Sequence, residues 1–212
     1  PPRSTPLYSS AASDVYKRQV SSPLKDWNGL AIDVIKAIRA IEPSKKLIMT
    51  SRFGDPKHFK TLQLMPFDNI DYTFHFYNPI KYSHMCIDPN GKCPLDTTKQ
   101  KKLKLVTYPN AKNNKKSMKQ NMKEALVFQK KHGVNLYVGE FGTARWAPGG
   151  DKYIRDVIKI FEKKNICWSY SSWNPTVDVW NFEYGADIHN KTKSSTMTGR
   201  EVVLREYLNL ND

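Results

Sequence analysis

The sequence lacks several features that define special classes of protein. No apolar run approaches the about 20 residues that a transmembrane helix needs. Only three cysteines occur, and neither a glycine repeat nor a sustained heptad pattern is present. These absences exclude a membrane protein, a disulfide-dense mini-protein, collagen and a coiled coil.

Acidic residues are also scarce, with 20 Asp and Glu against 34 Lys and Arg, which gives a formal net charge of +14. Hydrophobic residues make up 39% of the 212 residues and aromatic residues 12%, which is too much for a disordered chain. The composition therefore indicates a basic, aromatic-rich globular domain.

The cysteines and histidines show no pattern of metal ligands. Cys86 and Cys93 flank a turn-rich stretch, so that a disulfide and two free thiols are both open interpretations. Their spacing differs from Cys-x-x-Cys, and the five histidines are scattered along the chain. We therefore expect no metal site.

Much of the positive charge falls between residues 99 and 131, which contain eleven lysines and one acidic residue, Glu124. Clustered lysines can neutralise nucleic-acid phosphates. However, Met118, Met122 and Ala125 recur at helical spacing between these lysines, as in the solvated face of a surface helix. Since the segment contains no arginine and no nucleic-acid motif, we favour the solvated helix and expect no nucleic-acid partner.

The first 19 residues have a different character from the rest. They are rich in Pro and then in Ser and Ala, and Asp14 to Gln19 resemble the translated end of a transposase sequencing adaptor. We interpret residues 1–19 as a disordered artefact, with an ordinary disordered tail as the alternative, and place the folded domain at residues 20–212. The natural N-terminus would then lie upstream, so the lack of a signal peptide says nothing about localisation.

From residue 27 onward, helical and strand patterns alternate. Helices are predicted at residues 27–41, 59–64, 114–132, 151–164 and 199–208, and strands at residues 46–51, 70–77, 134–140 and 166–170. This order predicts an α/β fold with parallel strands and right-handed crossovers. No Gly-x-Gly-x-x-Gly follows a strand, which disfavours a nucleotide-binding sheet. Four such units are half of a (β/α)8 barrel, which needs about 250 residues.

Polar and aromatic residues stand at the predicted strand ends, where such barrels carry their functional groups. His75 and Tyr77 are two residues apart and share one face of their strand. Glu140 has the parity of Val138 and lies at the next strand end, and Trp168 follows at the last. Each has an ordinary packing explanation, but packing alone does not explain all four together.

These residues belong to segments that resemble a known family. The stretches YTFHFYNP (residues 72–79) and LYVGEFGT (136–143) resemble the sixth and seventh strands of glycoside hydrolase family 5, the cellulase family of retaining glycosidases. Residues 27–50 resemble the stretch after the family's fourth strand, and residues 166–170 its eighth strand. The resemblance covers residues 23–210 and implies the C-terminal half of a TIM (β/α)8 barrel, strands five to eight with their helices.

Carried over by position, the resemblance implies that Glu140 is the catalytic nucleophile. It implies that His75 and Tyr77 orient the sugar and hydrogen-bond the nucleophile, and that Trp168 stacks on a sugar ring. A retaining glycosidase needs such a carboxylate beneath the anomeric carbon, and pyranose C–H faces pack on indoles. Further substrate-binding candidates on adjoining loops are Trp173, His84, Tyr82 and Phe53.

The sequence departs from the family pattern at two places. The family's general acid is a Glu in an Asn-Glu-Pro motif at the end of the fourth strand, and this chain has no such motif. Glu42-Pro43 is not its equivalent, because it follows the helix that should come after that motif. Many members also carry a second Trp where this chain has Ser171.

The resulting prediction is a retaining endo-β-glycanase of the cellulase, β-glucanase or mannanase type, which lacks its acid/base here and is inactive as a fragment. The resemblance implies a secreted or extracellular enzyme with a polysaccharide substrate and no cofactor. A carbohydrate-binding barrel without catalysis is the alternative, and a basic nucleic-acid-associated domain is a weaker one.

Overall fold

The structure, a computed structural model, describes residues 26–86, 106–173 and 178–211. Four strands form one parallel sheet in the order β1-β2-β3-β4. Their bounds are Leu47–Thr50 for β1, Ile70–Phe76 for β2, Leu136–Phe141 for β3 and Cys167–Trp168 for β4. The predicted α/β class with parallel strands is confirmed.

The helices connect and cover these strands. They are α1 Trp27–Ile41, α2 Ile80–Ser83, α3 Lys115–Asn121, α4 Lys123–His132, α5 Gly150–Lys163 and α6 Gly199–Leu208. Short 3-10 helices occupy Arg52–Gly54, Pro56–Lys60, Asp178–Trp180 and Asn209–Asn211.

Most predicted elements occur where the apolar periodicity placed them, with three differences. The helix expected at residues 114–132 is two helices that meet at Met122. The helix predicted at residues 59–64 is wrong: a 3-10 helix begins earlier, at Pro56, where the Asp55 side chain accepts a hydrogen bond from the Lys57 N–H. The short helix α2 was not predicted, because four residues carry no periodic signal.

The core is an aromatic layer between the sheet and the helices. Tyr72, Phe74 and Phe76 of β2 are buried on one face of the sheet. Their rings pack edge-on against Phe128 of α4, Phe59 of the 3-10 helix and Phe161 of α5, respectively. The predicted alternation along β2 is confirmed, and His75 is left on the opposite face.

A register shift between β2 and β3 changes the direction of Glu140. Phe74 pairs with Val138, but His75 pairs with Glu140, so that Gly139 is an extra residue in β3. Strict alternation would turn Glu140 to the same side as the fully buried Val138. The inserted residue instead turns its carboxylate to the side of His75.

Some predictions fall outside the described residues. These are the disorder of residues 1–19, the pairing of Cys86 with Cys93, and the part of the lysine-rich stretch at residues 99–105.

Candidate active site

The candidate site lies at the carboxyl ends of β2 and β3. The Tyr77 hydroxyl donates a hydrogen bond to Oε2 of Glu140 over 3.1 Å, and His75 Nδ1 lies 3.4 Å from the same oxygen. The side chains of His75 and Glu140 are 21% and 29% exposed, so the carboxylate is held by protein groups and still open to a ligand. The structure thus brings together three of the residues that the sequence analysis selected.

Two glycines allow backbone to approach this cluster closely. Gly54, in the turn after β1, has a φ of +65°, and a Cβ there would lie 3.4 Å from the His75 ring. At Gly142, directly after β3, a Cβ would lie 2.5 Å from the backbone oxygen of Ser171. These two turns therefore hold the ends of β1 and β4 against the site.

Tyr77 remains a hydrogen-bond donor because of its surroundings. Burial, followed by the nearby Glu140 carboxylate, raises the pKa of the Tyr77 phenol well above its ordinary value. The Tyr77 ring packs edge-on against His84 at 4.9 Å. A neutral phenol has a single O–H to donate, and Tyr77 donates it to the Glu140 carboxylate.

His84 is part of the wall next to this cluster. Its Nδ1 lies 2.9 Å from the Ser83 hydroxyl, and burial lowers the pKa of its imidazole. The neutral ring packs on Tyr77 and on Trp180, whose ring centre is 5.0 Å away. His84 therefore helps to hold the Tyr77 ring in place.

Trp180 is a residue that the sequence analysis missed. Its indole lies 5.7 Å from the Tyr77 ring and donates a hydrogen bond to the backbone oxygen of Ser83 over 3.2 Å. Trp180 ends the 3-10 helix Asp178–Trp180 in the long connection after β4, where no periodic pattern or motif marks it. Only its ring contacts with Tyr77 and His84 show that it belongs to the site.

Trp168 lies elsewhere. It pairs in register with Val138, on the helix-facing side of the sheet, and its Nε1–H donates to Oε1 of Glu162 in α5 over 2.9 Å. Its ring packs edge-on against Phe141 at 5.5 Å. Stacking of a sugar on Trp168 stays a prediction, and these contacts do not favour it.

Trp173 is an exposed indole held in a fixed orientation. It is 70% exposed, yet its Nε1–H donates to Oε2 of Glu183 over 2.8 Å. The other oxygen of Glu183 lies 2.6 Å from Lys193 Nζ. Hydrogen bonds from Lys193 and then from Trp173 lower the pKa of the Glu183 carboxyl.

The two remaining candidates differ in burial. Tyr82 is fully buried and donates to the backbone oxygen of Pro148 over 3.0 Å, so its contacts are those of a core residue. Phe53 is exposed in the turn after β1 and lies beneath the Arg52 guanidinium at 4.8 Å.

In the described part of the chain, no group of three or more His, Cys, Asp or Glu side chains is arranged to hold a metal ion. No helix there combines the length and the hydropathy that a membrane crossing requires.

Comparison with known proteins places this sequence in a family. The sequence model of the cellulase family (glycosyl hydrolase family 5) matches residues 13–177, which include both strand ends of the site. The chain belongs to glycosyl hydrolase family 5. The match begins inside the segment 1–19, whose interpretation as an artefact stays a prediction.

Two curated relatives are similar in sequence. Endoglucanase C of Acetivibrio thermocellus is 29% identical over 167 residues, which are 68% of this chain and 49% of that protein. Cellodextrinase A of Ruminococcus flavefaciens is 23% identical over 143 residues, 66% of this chain and 40% of the relative. The chain thus spans about half the length of the curated relatives it matches.

The fold agrees with this membership. Cel5A of Thermotoga maritima, solved in complex with cellobiose, superposes with a TM-score of 0.64 at 21% identity over 84% of this chain and 54% of that one. The cellulose synthase subunit Z of Clostridioides difficile superposes with a TM-score of 0.62 at 20% identity, over 84% and 55%. These likenesses identify the four-stranded parallel sheet as part of a TIM barrel.

Proposed function

We propose that this chain is the C-terminal half of a retaining endo-β-glycanase, with β1 to β4 as strands five to eight of its barrel and Glu140 as the nucleophile. The observation that carries the proposal is the Glu140 carboxylate, bound by Tyr77 and close to His75 at the ends of two neighbouring strands. The family match over both strand ends supports it.

The proposed reaction is a double displacement. A carboxylate oxygen of Glu140 bonds to the anomeric carbon while the bond to the leaving oxygen breaks, and that oxygen takes a proton from a general acid. Water then attacks the same carbon, gives a proton to the residue that acted as the acid, and releases Glu140. The hydrogen bond from Tyr77 holds Glu140 in place for the first step.

The general acid is the part of the mechanism that we do not assign to a described residue. A retaining pair of carboxyl groups is separated by about 5 Å. We propose that the second carboxyl group belongs to the preceding strand of the complete barrel, next to β1, where the family carries its Asn-Glu-Pro motif.

The proposed substrate is a β-linked glucan or mannan. Support comes from Endoglucanase C among the relatives and from the Thermotoga enzyme, which was solved in complex with cellobiose and with mannotriose. Trp173 offers an exposed, fixed indole and Trp180 a second one beside Tyr77, and pyranose rings stack on such faces. We further propose that the complete enzyme acts outside the cell.

The decisive experiment is Glu140→Ala in the protein with its barrel complete. Because the nucleophile is lost, turnover of a glucan or mannan should fall by at least about a thousandfold. Azide should then restore part of the activity on an activated glycoside by attacking the anomeric carbon in the vacated space, which gives a glycosyl azide of inverted configuration.

Glu162→Ala is the matched control, since Glu162 also accepts a hydrogen bond from an aromatic side chain but on the helix-facing side. It should retain most of the activity. Near wild-type turnover by Glu140→Ala would show that the nucleophile assignment is wrong. If the unaltered protein binds glycans but never cleaves them, the barrel is a binding module instead.

A further inference from the structure

The outer surface of α3 and α4 carries a charge that the proposed catalytic site does not use. Lys116, Lys119, Lys123 and Lys130 follow one another at helical spacing and are exposed, while Met122 and its neighbours on the opposite side are buried. With two adjoining exposed lysines they form what we call the lysine face: Lys112, Lys116, Lys119, Lys123, Lys130 and Lys131.

In the described part of the protein, little neutralises the charge of this face. Lys115 pairs with Asp156 over 3.3 Å, but none of the six lysines of the face forms an ion pair with another residue in the described ranges. Glu124 is the single acidic residue of the two helices. The six charges therefore face solvent together.

This arrangement is unfavourable for the helices themselves. Lysines three and four positions apart repel each other, as Lys116, Lys119 and Lys123 do. The first turn of α3 contains Lys115 and Lys116 and no acidic residue, which opposes the helix dipole. A bound anionic polymer would relieve both effects, whereas a neutral one would not.

The composition of the face distinguishes between polyanions. Residues 106–135 contain no arginine, the residue suited to bidentate contacts with phosphate and bases. Their aromatic residues, Tyr108 and Phe128, are buried and so cannot stack on exposed bases. Lysines act as separate point charges on flexible stems, so they can pair with single carboxylates and do not need the planar geometry that arginine matches.

We propose that the lysine face binds a carboxylate-bearing polysaccharide, a polyuronate, as a second carbohydrate site outside the catalytic cleft. The choice of a polysaccharide over other polyanions rests on the proposed function. Phe128 of α4 packs on Tyr72 on the helix side of the sheet, whereas Glu140 turns to the opposite side with His75. A polyuronate on the lysine face would therefore leave the cleft free for a neutral glycan.

The test measures the affinity of the chain for polygalacturonate at an ionic strength of about 0.15 M. Replacing all six lysines of the face by Gln should weaken binding at least about tenfold, since each exposed pair contributes a fraction of a kcal/mol. The matched control replaces six exposed lysines elsewhere, so that net charge falls equally: Lys36, Lys45, Lys46, Lys81, Lys159 and Lys191. It should weaken binding less than about threefold.

Two further measurements need no variant. Fully methyl-esterified polygalacturonate, which has the same backbone without its charges, should not bind the chain. Duplex DNA and single-stranded RNA of similar charge density should bind more weakly than polygalacturonate. Equal losses in the two six-lysine variants, binding of the esterified polymer, or tighter binding of nucleic acid would each overturn the proposal. Because only binding is measured, the result does not depend on whether the barrel hydrolyses glycans.

Discussion

Tyr77 connects the buried layer of the protein to the carboxylate at the site. Its ring packs among His84 and Trp180, and its hydroxyl reaches Oε2 of Glu140. Because burial raises its phenol pKa, Tyr77 stays a donor across the pH range in which such enzymes work. Its contribution to the proposed reaction is therefore positional, since it fixes where the Glu140 oxygen points.

Tyr77→Phe should lower kcat of the complete barrel by roughly tenfold, which corresponds to the loss of one hydrogen bond to a charged group. The ring and its packing remain, so thermal stability should change little. Steady-state kinetics on a soluble glucan, next to Glu140→Ala, measure the difference. A loss as large as that of Glu140→Ala would mean that Tyr77 does more than hold the carboxylate.

The Glu183 carboxylate that holds Trp173 leads to a pH-dependent prediction. Its pKa is lowered in the folded protein by Lys193 and Trp173, so its contribution to stability is complete above the ordinary Glu pKa of about 4.3. That contribution is lost as the pH falls through the lowered value of the folded state. Glu183→Gln keeps an acceptor for the indole N–H but removes the charge that faces Lys193.

The unfolding temperature of Glu183→Gln should therefore lie below that of the unaltered chain near neutral pH, by at most about 3 °C because Lys193 is mostly exposed. The gap should close as the pH falls below the ordinary Glu pKa and through the lowered pKa of Glu183 in the folded protein. Thermal unfolding followed by circular dichroism over this pH range tests the prediction. A gap that persists at low pH would assign the effect to packing and not to the ion pair.

At the scale of elements, apolar periodicity was a good guide, and strict alternation held along β2 but failed in β3. The helices α1 and α6 occur at their predicted bounds because long apolar stripes set them. The direction of Glu140 depends on one inserted residue, Gly139, and no single-sequence pattern marks such a shift. Trp168 differs from Glu140. It also stands near a strand end, but its pairing with Val138 turns its side chain to the helices and away from the site.

The turn after β3 depends on the absence of a side chain at Gly142. A Cβ there would lie 2.5 Å from the Ser171 backbone oxygen, a contact that a flexible side chain could avoid but backbone cannot. Gly142→Ala should therefore lower the free energy of unfolding by about 1–3 kcal/mol. Gly185→Ala is the control, since nothing lies within 4 Å of its Cβ position. Denaturant unfolding compares the two, and equal stabilities would show that the β3 and β4 ends are not in close contact.

At the scale of the whole molecule, the sequence predicted the family from two strand-end motifs, and the match over residues 13–177 confirms it. Catalytic and binding motifs are short and consist of residues that are close in sequence, so they can be recognised in a single sequence. Trp180 could not be found in this way, because it contacts Tyr77 from a short 3-10 helix about a hundred residues later in the chain. Contacts between residues so far apart in the chain produce no periodic pattern in the sequence.

The edge of the sheet at β1 gives a prediction for the chain as a whole. Among the described residues β1 pairs with β2 alone, and beside its free edge α1 and β1 enclose an apolar groove of about 310 Å³. Leu30, Val34 and Ile48 line it and are 39%, 48% and 40% exposed. In a closed barrel the preceding strand and helix would cover this groove and supply the missing hydrogen bonds.

The chain expressed alone should therefore self-associate and bind a hydrophobic dye, and the complete barrel should do neither. Ile48→Lys should reduce the association, because a charge on an edge strand opposes pairing with another chain. Ile41→Lys is the matched control: Ile41 is 83% exposed at the end of α1 but does not line the groove. Analytical ultracentrifugation of the three proteins tests the prediction. A monomeric chain without dye binding would show that β1 is not an open edge, and the placement of β1 as the fifth strand of a larger barrel would have to be abandoned.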